Sequence, residues 1–280
     1  MPASLSTHGL LFKYRSLDKT YTLNTPSPTE RGELKVLKEI NSYIAGQKKP
    51  ISIKIGSFTF KEIYGANKVS GTPKADIALV SYNETTKKFQ DVAFISHKMG
   101  TDAGGFQQYS GITPKADGSK SGSISNDDKV MKFLKDLTVV HKSIVNKKSR
   151  YFRKVTDNSL IGKSIYGPLF GSRTYGIDNI HAIGQGDVSF AKTRNIHQLN
   201  FSTAISVNPD VSEFKKGDYT TVLGARFSSG RNYEVDNKTY RNVRVLIMPK
   251  KLIGSKAIEI WTSQNYEHLE DDFIIRWKIF

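Results

Sequence analysis

The chain has 280 residues, which is enough for one large domain or two smaller ones. It carries 42 lysines and arginines against 26 acidic residues, and it has no cysteine, which excludes disulfide bonds and thiolate metal sites. No apolar run approaches the ~20 residues of a membrane helix, and no secretory signal opens the sequence. The net charge of +16 favours a polyanion, above all nucleic acid, over a membrane as the partner. The lack of cysteine fits a cytoplasmic protein.

Residues 1–26 are polar with a few aromatics, and we expect them to form an N-terminal arm. A helix is predicted to start at Ser27-Pro28-Thr29-Glu30, where serine caps, proline takes the first helical position and Glu30 completes a capping box. It should run to about Ala45 and end before Gly46. Its expected buried stripe consists of Leu34, Leu37, Ile40 and Ile44.

Glu33 extends that stripe, because it lies four residues before Leu37. A carboxylate that points at a core is costly unless it is paired or bound to a metal. Glu33 is therefore a candidate metal ligand, and a partly exposed position at the helix edge is the alternative.

The next segments predict strands, because residues 51–55 alternate cleanly between apolar and polar residues and the two later strands are short apolar runs. The segments are residues 51–55, a turn at Gly56-Ser57, a strand over 57–64, and two strands over 76–82 and 89–98 joined by the polar turn 83–88. If the last two strands are antiparallel neighbours, Asp76 and Lys98 meet at one edge of the sheet. Phosphodiester hydrolysis needs at least an acid that holds a divalent cation and a lysine that faces the phosphate, and these two residues would supply both. Ser96 shares a strand face with Lys98, while His97 points away.

The predicted secondary structure of the rest of the chain changes from helices to short strands. A short helix is expected over 106–112, a loop over 114–123, and a long helix from Ser125 to about Arg150. After about residue 155, short apolar strands predominate. They are predicted at 199–207, 220–227, 243–249, 257–261 and 273–280.

Basic residues interleave with aromatics after the long helix, which suits phosphate contacts combined with base stacking. The candidate nucleic-acid-binding residues are Lys147, Lys148, Arg150, Arg153 and Lys154, together with Arg231 and Arg244 near paired β segments. A solvated helix end and an ordinary surface hairpin are the alternatives at these two places.

A helix with Glu33, a strand with Asp76, a strand ending in Lys98 and a following helix resemble the PD-(D/E)XK nuclease superfamily. Pro73-Lys74-Ala75-Asp76 stands where that family has its first acid, and Ile95-Ser96-His97-Lys98 looks like its second strand, with Ser96 replacing the usual acid. Residues 105–111 (GFQQYSG) look like the Gln-bearing helix of some branches, especially phage proteins. The resemblance covers roughly residues 28–112.

The resemblance implies an α+β fold. A restriction-endonuclease-like core, a mixed sheet flanked by helices, would span 27–154. The β-rich part, 155–280, would bind nucleic acid or elaborate the core. The implied activity is cleavage of DNA, expected to be double-stranded, with Mg²⁺ or Mn²⁺ in the cytoplasm of a phage-infected bacterium.

The resemblance also implies roles for individual residues. Glu33 and Asp76 would hold the metal, with Ser96 and the backbone carbonyl of His97 completing the shell. Lys98 would position or activate the attacking water, and Gln108 would bind the phosphate or a metal-bound water.

Two alternatives to the nuclease, and the oligomeric state, stay open at this point. A catalytically inactive nuclease fold could serve as a binding or structural subunit of a phage assembly, and Ser96 is the best support for it. The chain could also be an unrelated basic α+β protein in which Asp76 and Lys98 never meet. A homodimer is one of the open oligomeric states.

Overall fold

The computed structural model describes residues 28–69, 71, 73–100, 110–114, 120–121, 127–130, 132, 150–215, 219–235 and 238–251. The predicted arm, Gln108, Lys147, Lys148, most of the long helix from Ser125 and the strands predicted after residue 251 lie outside these ranges. The chain divides into two compact units. The described residues of 1–105 and 166–213 form the first unit, and those of 106–165 and 214–280 form the second.

In chain order the elements are α1 (Pro28–Gly46), β1 (Ile51–Ile55), β2 (Phe58–Lys68), β3 (Ile77–Asn83), β4 (Lys88–Lys98), β5 (Ser110–Pro114), β6 (Lys120–Ser121), β7 (Arg150–Lys154), α2 (Asn158–Tyr166), β8 (Ala182–Gln185), β9 (Val188–Thr193), β10 (Ile196–Phe201), β11 (Ala204–Val207), a 3₁₀ helix (Ser212–Lys215), β12 (Tyr219–Val235) and β13 (Lys238–Lys251). The fold is α+β, as predicted. None of the helices in the described part of the chain is long and apolar enough to cross a membrane.

Helix α1 begins at Pro28, as the capping pattern predicted, and extends through Gly46. Its apolar stripe packs on the sheet of the first unit, and Leu34 joins it as a partly buried residue. The fully buried members are Val36, Leu37, Ile40 and Ile44. Burying each of these side chains stabilises the fold by about 1.5–3 kcal/mol, which fixes the helix against the sheet.

The first unit contains a mixed sheet of eight strands in the order β11-β8-β4-β3-β2-β1-β10-β9. Strands β1 to β4 form an antiparallel meander. β10 adds in parallel to β1, and β8 adds in parallel to β4. Strands from both sides of residue 155 therefore share this sheet.

Strand β2 is longer than predicted, because it continues past Tyr64 to Lys68. The added residues include glycine and asparagine, which have low strand propensity, but they pair with β3 from Gly65↔Val80 to Lys68↔Ile77. This extension places Lys68 near the start of β3.

The second unit contains a sheet of five strands in the order β6-β5-β13-β12-β7. The helix predicted over 106–112 is wrong for residues 110–112, which lie in β5 and pair with β13. The helix end predicted at Arg150 is also wrong, because Arg150 begins strand β7.

Helix α2 was not predicted from the sequence, although it has an ordinary start. The carboxylate of Asp157 accepts hydrogen bonds from the backbone N–H groups of Ser159 (2.7 Å) and Leu160 (3.1 Å). This is the N-cap arrangement that satisfies the first free N–H groups of a helix.

Candidate active site beside β3 and β4

The backbone holds Asp76 at the edge where β3 begins and β4 ends. Its N–H donates to the carbonyl of Ile95 (2.9 Å), and its own carbonyl accepts from the N–H of Val69 (2.9 Å). Ile77 is in register with Ile95, so Asp76 lies beside Ser96 and the residues that follow. The antiparallel pairing expected from the sequence is therefore present.

Three donors from the end of β4 surround the carboxylate of Asp76. Its Oδ2 atom accepts from the Ser96 hydroxyl at 2.8 Å and from the His97 backbone N–H at 2.7 Å. The Lys98 Nζ atom lies 3.7 Å from the same oxygen, and the Asp76 and Lys98 side chains are 20% and 31% exposed. The alternative in which Asp76 and Lys98 never meet is thus wrong.

Glu33 reaches the same site from α1. Its Oε2 atom lies 3.6 Å from the Nζ atom of Lys68, and both side chains are largely buried, at 13% and 16% exposure. Burial, and next the charge of Asp76, raise the pKa of Glu33, while Lys68 and Lys98 act in the opposite direction. Glu33, Asp76 and Lys98 therefore interact within one cluster of charges.

Close packing of α1 against the end of β4 brings Glu33 to this position. A Cβ atom on Gly32 would stand 1.9 Å from the Sδ atom of Met99, so the glycine leaves room for the Met99 side chain against the helix. Met99 follows Lys98 directly, and its carbonyl accepts a hydrogen bond from the buried Gln185 side chain (3.2 Å).

Lys74 also belongs to the cluster, although it was not among the predicted site residues. Burial lowers its pKa to about 7, repulsion from Lys98 contributes in the same direction, and Asp76 opposes both. The pattern that could have revealed it is the spacing of two residues from Asp76, which places both on one side of an extended chain. A lysine with such a pKa is partly neutral near pH 7 and can accept a proton.

The His97 ring points away from the cluster, as strand alternation predicted. Its Nε2 atom lies 2.9 Å from the carbonyl oxygen of Gly186, and the ring stacks on Phe201. Burial lowers the pKa of His97, so the ring is neutral, with the proton on Nε2. His97 thus helps to attach β4 to the neighbouring strands.

The atoms of the site that could coordinate a metal ion are all oxygens. In the described part of the chain no group of three or more histidine, aspartate or glutamate side chains could hold a metal. Two carboxylates, the hydroxyl of Ser96 and the carbonyl of His97 nevertheless fit Mg²⁺, which binds through one or two carboxylates and retains several waters. The raised pKa of Glu33 beside Asp76 fits such an ion as well, since a divalent cation would relieve the repulsion between the two carboxylates.

The predicted nucleic-acid-binding residues that the structure describes lie in the second unit. Arg150, Arg153 and Lys154 are on β7, Arg231 is on β12 and Arg244 is on β13. They occupy three adjacent strands of one sheet.

Comparisons with protein-family models, with curated proteins and with solved structures each found no match for this chain. The functional conclusion therefore depends on the geometry of the charge cluster and on the strongly basic composition.

Proposed function

We propose that the protein is a metal-dependent endonuclease that hydrolyses phosphodiester bonds in nucleic acid, with DNA as the expected substrate. The observation that carries the proposal is the convergence of Glu33, Asp76 and Lys98 on one site beside β3 and β4. The order of helix, acid-bearing strand and lysine-ended strand supports a restriction-endonuclease-like core. The formal charge of +16 supports a polyanionic substrate.

Glu33 and Asp76 would hold Mg²⁺ or Mn²⁺, with the Ser96 hydroxyl and the His97 carbonyl as further oxygen donors. The bound cation would neutralise charge on the phosphate and lower the pKa of an attacking water. Lys98 would position that water and stabilise the negative charge that develops on the phosphate. Lys68 pairs with Glu33 and Lys98 pairs with Asp76, so each carboxylate has a positive charge beside it before the cation binds.

A cleavage assay on supercoiled plasmid with Mg²⁺ or Mn²⁺ tests the proposal. We expect Asp76→Asn and Lys98→Ala each to lower the cleavage rate by about 100-fold or more, a typical cost of removing a group that stabilises transition-state charge. Lys61→Ala is the matched control, because Lys61 is an exposed lysine on β2 of the same sheet. Its cleavage rate should equal that of the wild type. Undiminished cleavage by Asp76→Asn, or no cleavage by the wild type with either metal, would contradict the proposal.

A second function is supported by one specific observation. Ser96 donates a hydrogen bond to Asp76 where the nuclease pattern has a second acid, and each carboxylate of the site is paired with a lysine. These features favour a nuclease fold that binds nucleic acid without cleaving it, as a subunit of a phage assembly. Salt-sensitive binding without cleavage in the same assay would support this second function.

A further inference from the structure

The sheet of the second unit places three arginines in one row. Arg226, on the central strand β12, is in register with Arg150 on β7 and with Arg244 on β13. Residues directly opposite each other on antiparallel strands share a face of the sheet. Arg150, Arg226 and Arg244, here called the arginine row, therefore occupy adjacent positions on one face.

Such a row is unfavourable on its own, because like charges directly opposite each other destabilise a strand pair. The strands of this sheet, within the ranges the structure describes, carry eleven lysines and arginines and a single acidic residue, Glu234. Glu234 is in register with Thr239, at the far end of β12 beyond an irregularity in the pairing. The strands themselves thus provide no acid beside the arginine row.

The dimensions of the row suit a regular chain of negative charges. Neighbouring strands lie about 4.8 Å apart, so three positions in register span about 10 Å. One strand of a DNA duplex carries a phosphate for about every 3.4 Å of helix axis, and consecutive phosphates lie farther apart than that because they follow a spiral, so the row spans about two phosphates and reaches a third at its end.

We propose that the arginine row is a binding site for the phosphates of a nucleic-acid strand. The inference deepens the proposed function, since both take nucleic acid as the ligand, but it does not require cleavage. It identifies Arg226 as the central residue of the site, because Arg226 pairs with both Arg150 and Arg244.

The test is binding of the full chain to labelled single-stranded and duplex oligonucleotides, followed by fluorescence anisotropy over a series of salt concentrations. EDTA is present throughout, so that cleavage cannot interfere. Removal of one arginine–phosphate interaction should reduce the slope of log Kobs against log salt by about 0.7–0.9. Arg226→Gln should reduce the slope by about that amount, and the triple variant Arg150→Gln, Arg226→Gln, Arg244→Gln by about 2–3 units.

Arg173→Gln is the matched control, because Arg173 is an exposed arginine of the first unit and its replacement changes the net charge equally. Its slope should equal that of the wild type. Urea unfolding should show that the row variants keep or gain stability, since they remove repulsion between neighbouring strands.

Several outcomes would overturn the inference. They are a wild-type slope in the triple variant, an equal reduction of slope in Arg173→Gln, and no oligonucleotide binding by the wild type. Binding to phosphatidylserine vesicles that depends on the row, while oligonucleotide binding does not, would overturn it in favour of a lipid surface. Two further outcomes separate this inference from the proposed function. Nucleic-acid binding that depends on the arginine row, without metal-dependent cleavage, would support the binding site and reject the nuclease. Cleavage that needs Asp76, together with a wild-type slope in the triple variant, would support the nuclease and reject the binding site.

Discussion

Ser96 occupies the position at which the nuclease pattern has a second acid. Its side chain is buried at 2% exposure, and its hydroxyl donates to Asp76 instead of adding a second negative charge. With the His97 N–H as a second donor and the Lys98 ammonium 3.7 Å away, Asp76 is stabilised without any metal ion. The same arrangement weakens the attraction of the site for Mg²⁺, because one negative charge is absent.

Changing Ser96→Asp should therefore tighten Mg²⁺ binding and raise metal-dependent cleavage. Without metal the variant should be less stable by about 1–3 kcal/mol, because a buried carboxylate then faces Asp76 without a donor between them. Urea unfolding in EDTA and in Mg²⁺ measures both effects. Ser96→Asn is the matched control of similar size without charge. If the two variants respond equally to Mg²⁺, the added carboxylate does not reach the metal.

The residues of the site differ in how well a local sequence pattern could predict them. Asp76 and Lys98 could be predicted, because each marks the end of a short apolar strand that the local sequence shows. Lys68 could not, since it enters the site only through the extension of β2 that pairing with β3 imposes. The spacing of Lys74 from Asp76 could have placed it in the site, but that spacing does not report the burial that lowers its pKa.

At the scale of the elements, α1 and β1 to β4 were predicted because caps, turns and alternation lie within a few residues of each element. Residues Ser110–Ile112 were predicted as helix but form β5, because their pairing partner is the distant strand β13. Strand β8 was missed for a similar reason. It is only four residues long and contains a glycine, and parallel pairing with β4 decides its conformation.

Gly184 of β8 is a sharp test of how tightly this strand is packed. A Cβ atom there would stand 2.4 Å from the ring of Phe201, so Gly184→Ala should destabilise the protein by about 1–3 kcal/mol through overpacking. The matched control is Gly46→Ala at the end of α1, where a Cβ atom would have no neighbour within 4 Å. That variant should be neutral or slightly stabilised. Equal urea midpoints for the two variants would show that β8 is loosely packed.

For the molecule as a whole, buried histidines determine the response to acid. Burial lowers the pKa of His181 to about 4, and the neutral ring accepts a hydrogen bond from the Phe94 N–H. Burial also lowers the pKa values of His97 and His197. An unfolded histidine binds its proton near pH 6.5, so the unfolded state takes up more protons than the folded state as the pH falls.

The free energy of unfolding should therefore be highest above pH 6.5 and should decrease as the pH falls towards 4. His181 alone should account for a loss of about 2 kcal/mol at pH 5. Glu33 acts in the opposite direction, since its raised pKa favours the folded state in acid. Urea unfolding at a series of pH values measures the profile, and His181→Gln should flatten it. A wild-type profile that is level from pH 7 to pH 5 would contradict this account.

The two strands that pair in parallel with the meander are synthesised long after it, which affects folding on the ribosome. β1 and β4 end the meander, and their outer neighbours β10 and β8 begin 141 residues after Ile55 and 84 residues after Lys98, respectively. At synthesis rates of about 5–20 residues per second, the β1 edge stays unpaired for about 7–28 s and the β4 edge for about 4–17 s on the ribosome. An unpaired strand edge can pair with the edge of another nascent chain on the same messenger RNA. A translation product that stops before β8 should therefore accumulate as aggregate and not as a smaller folded protein.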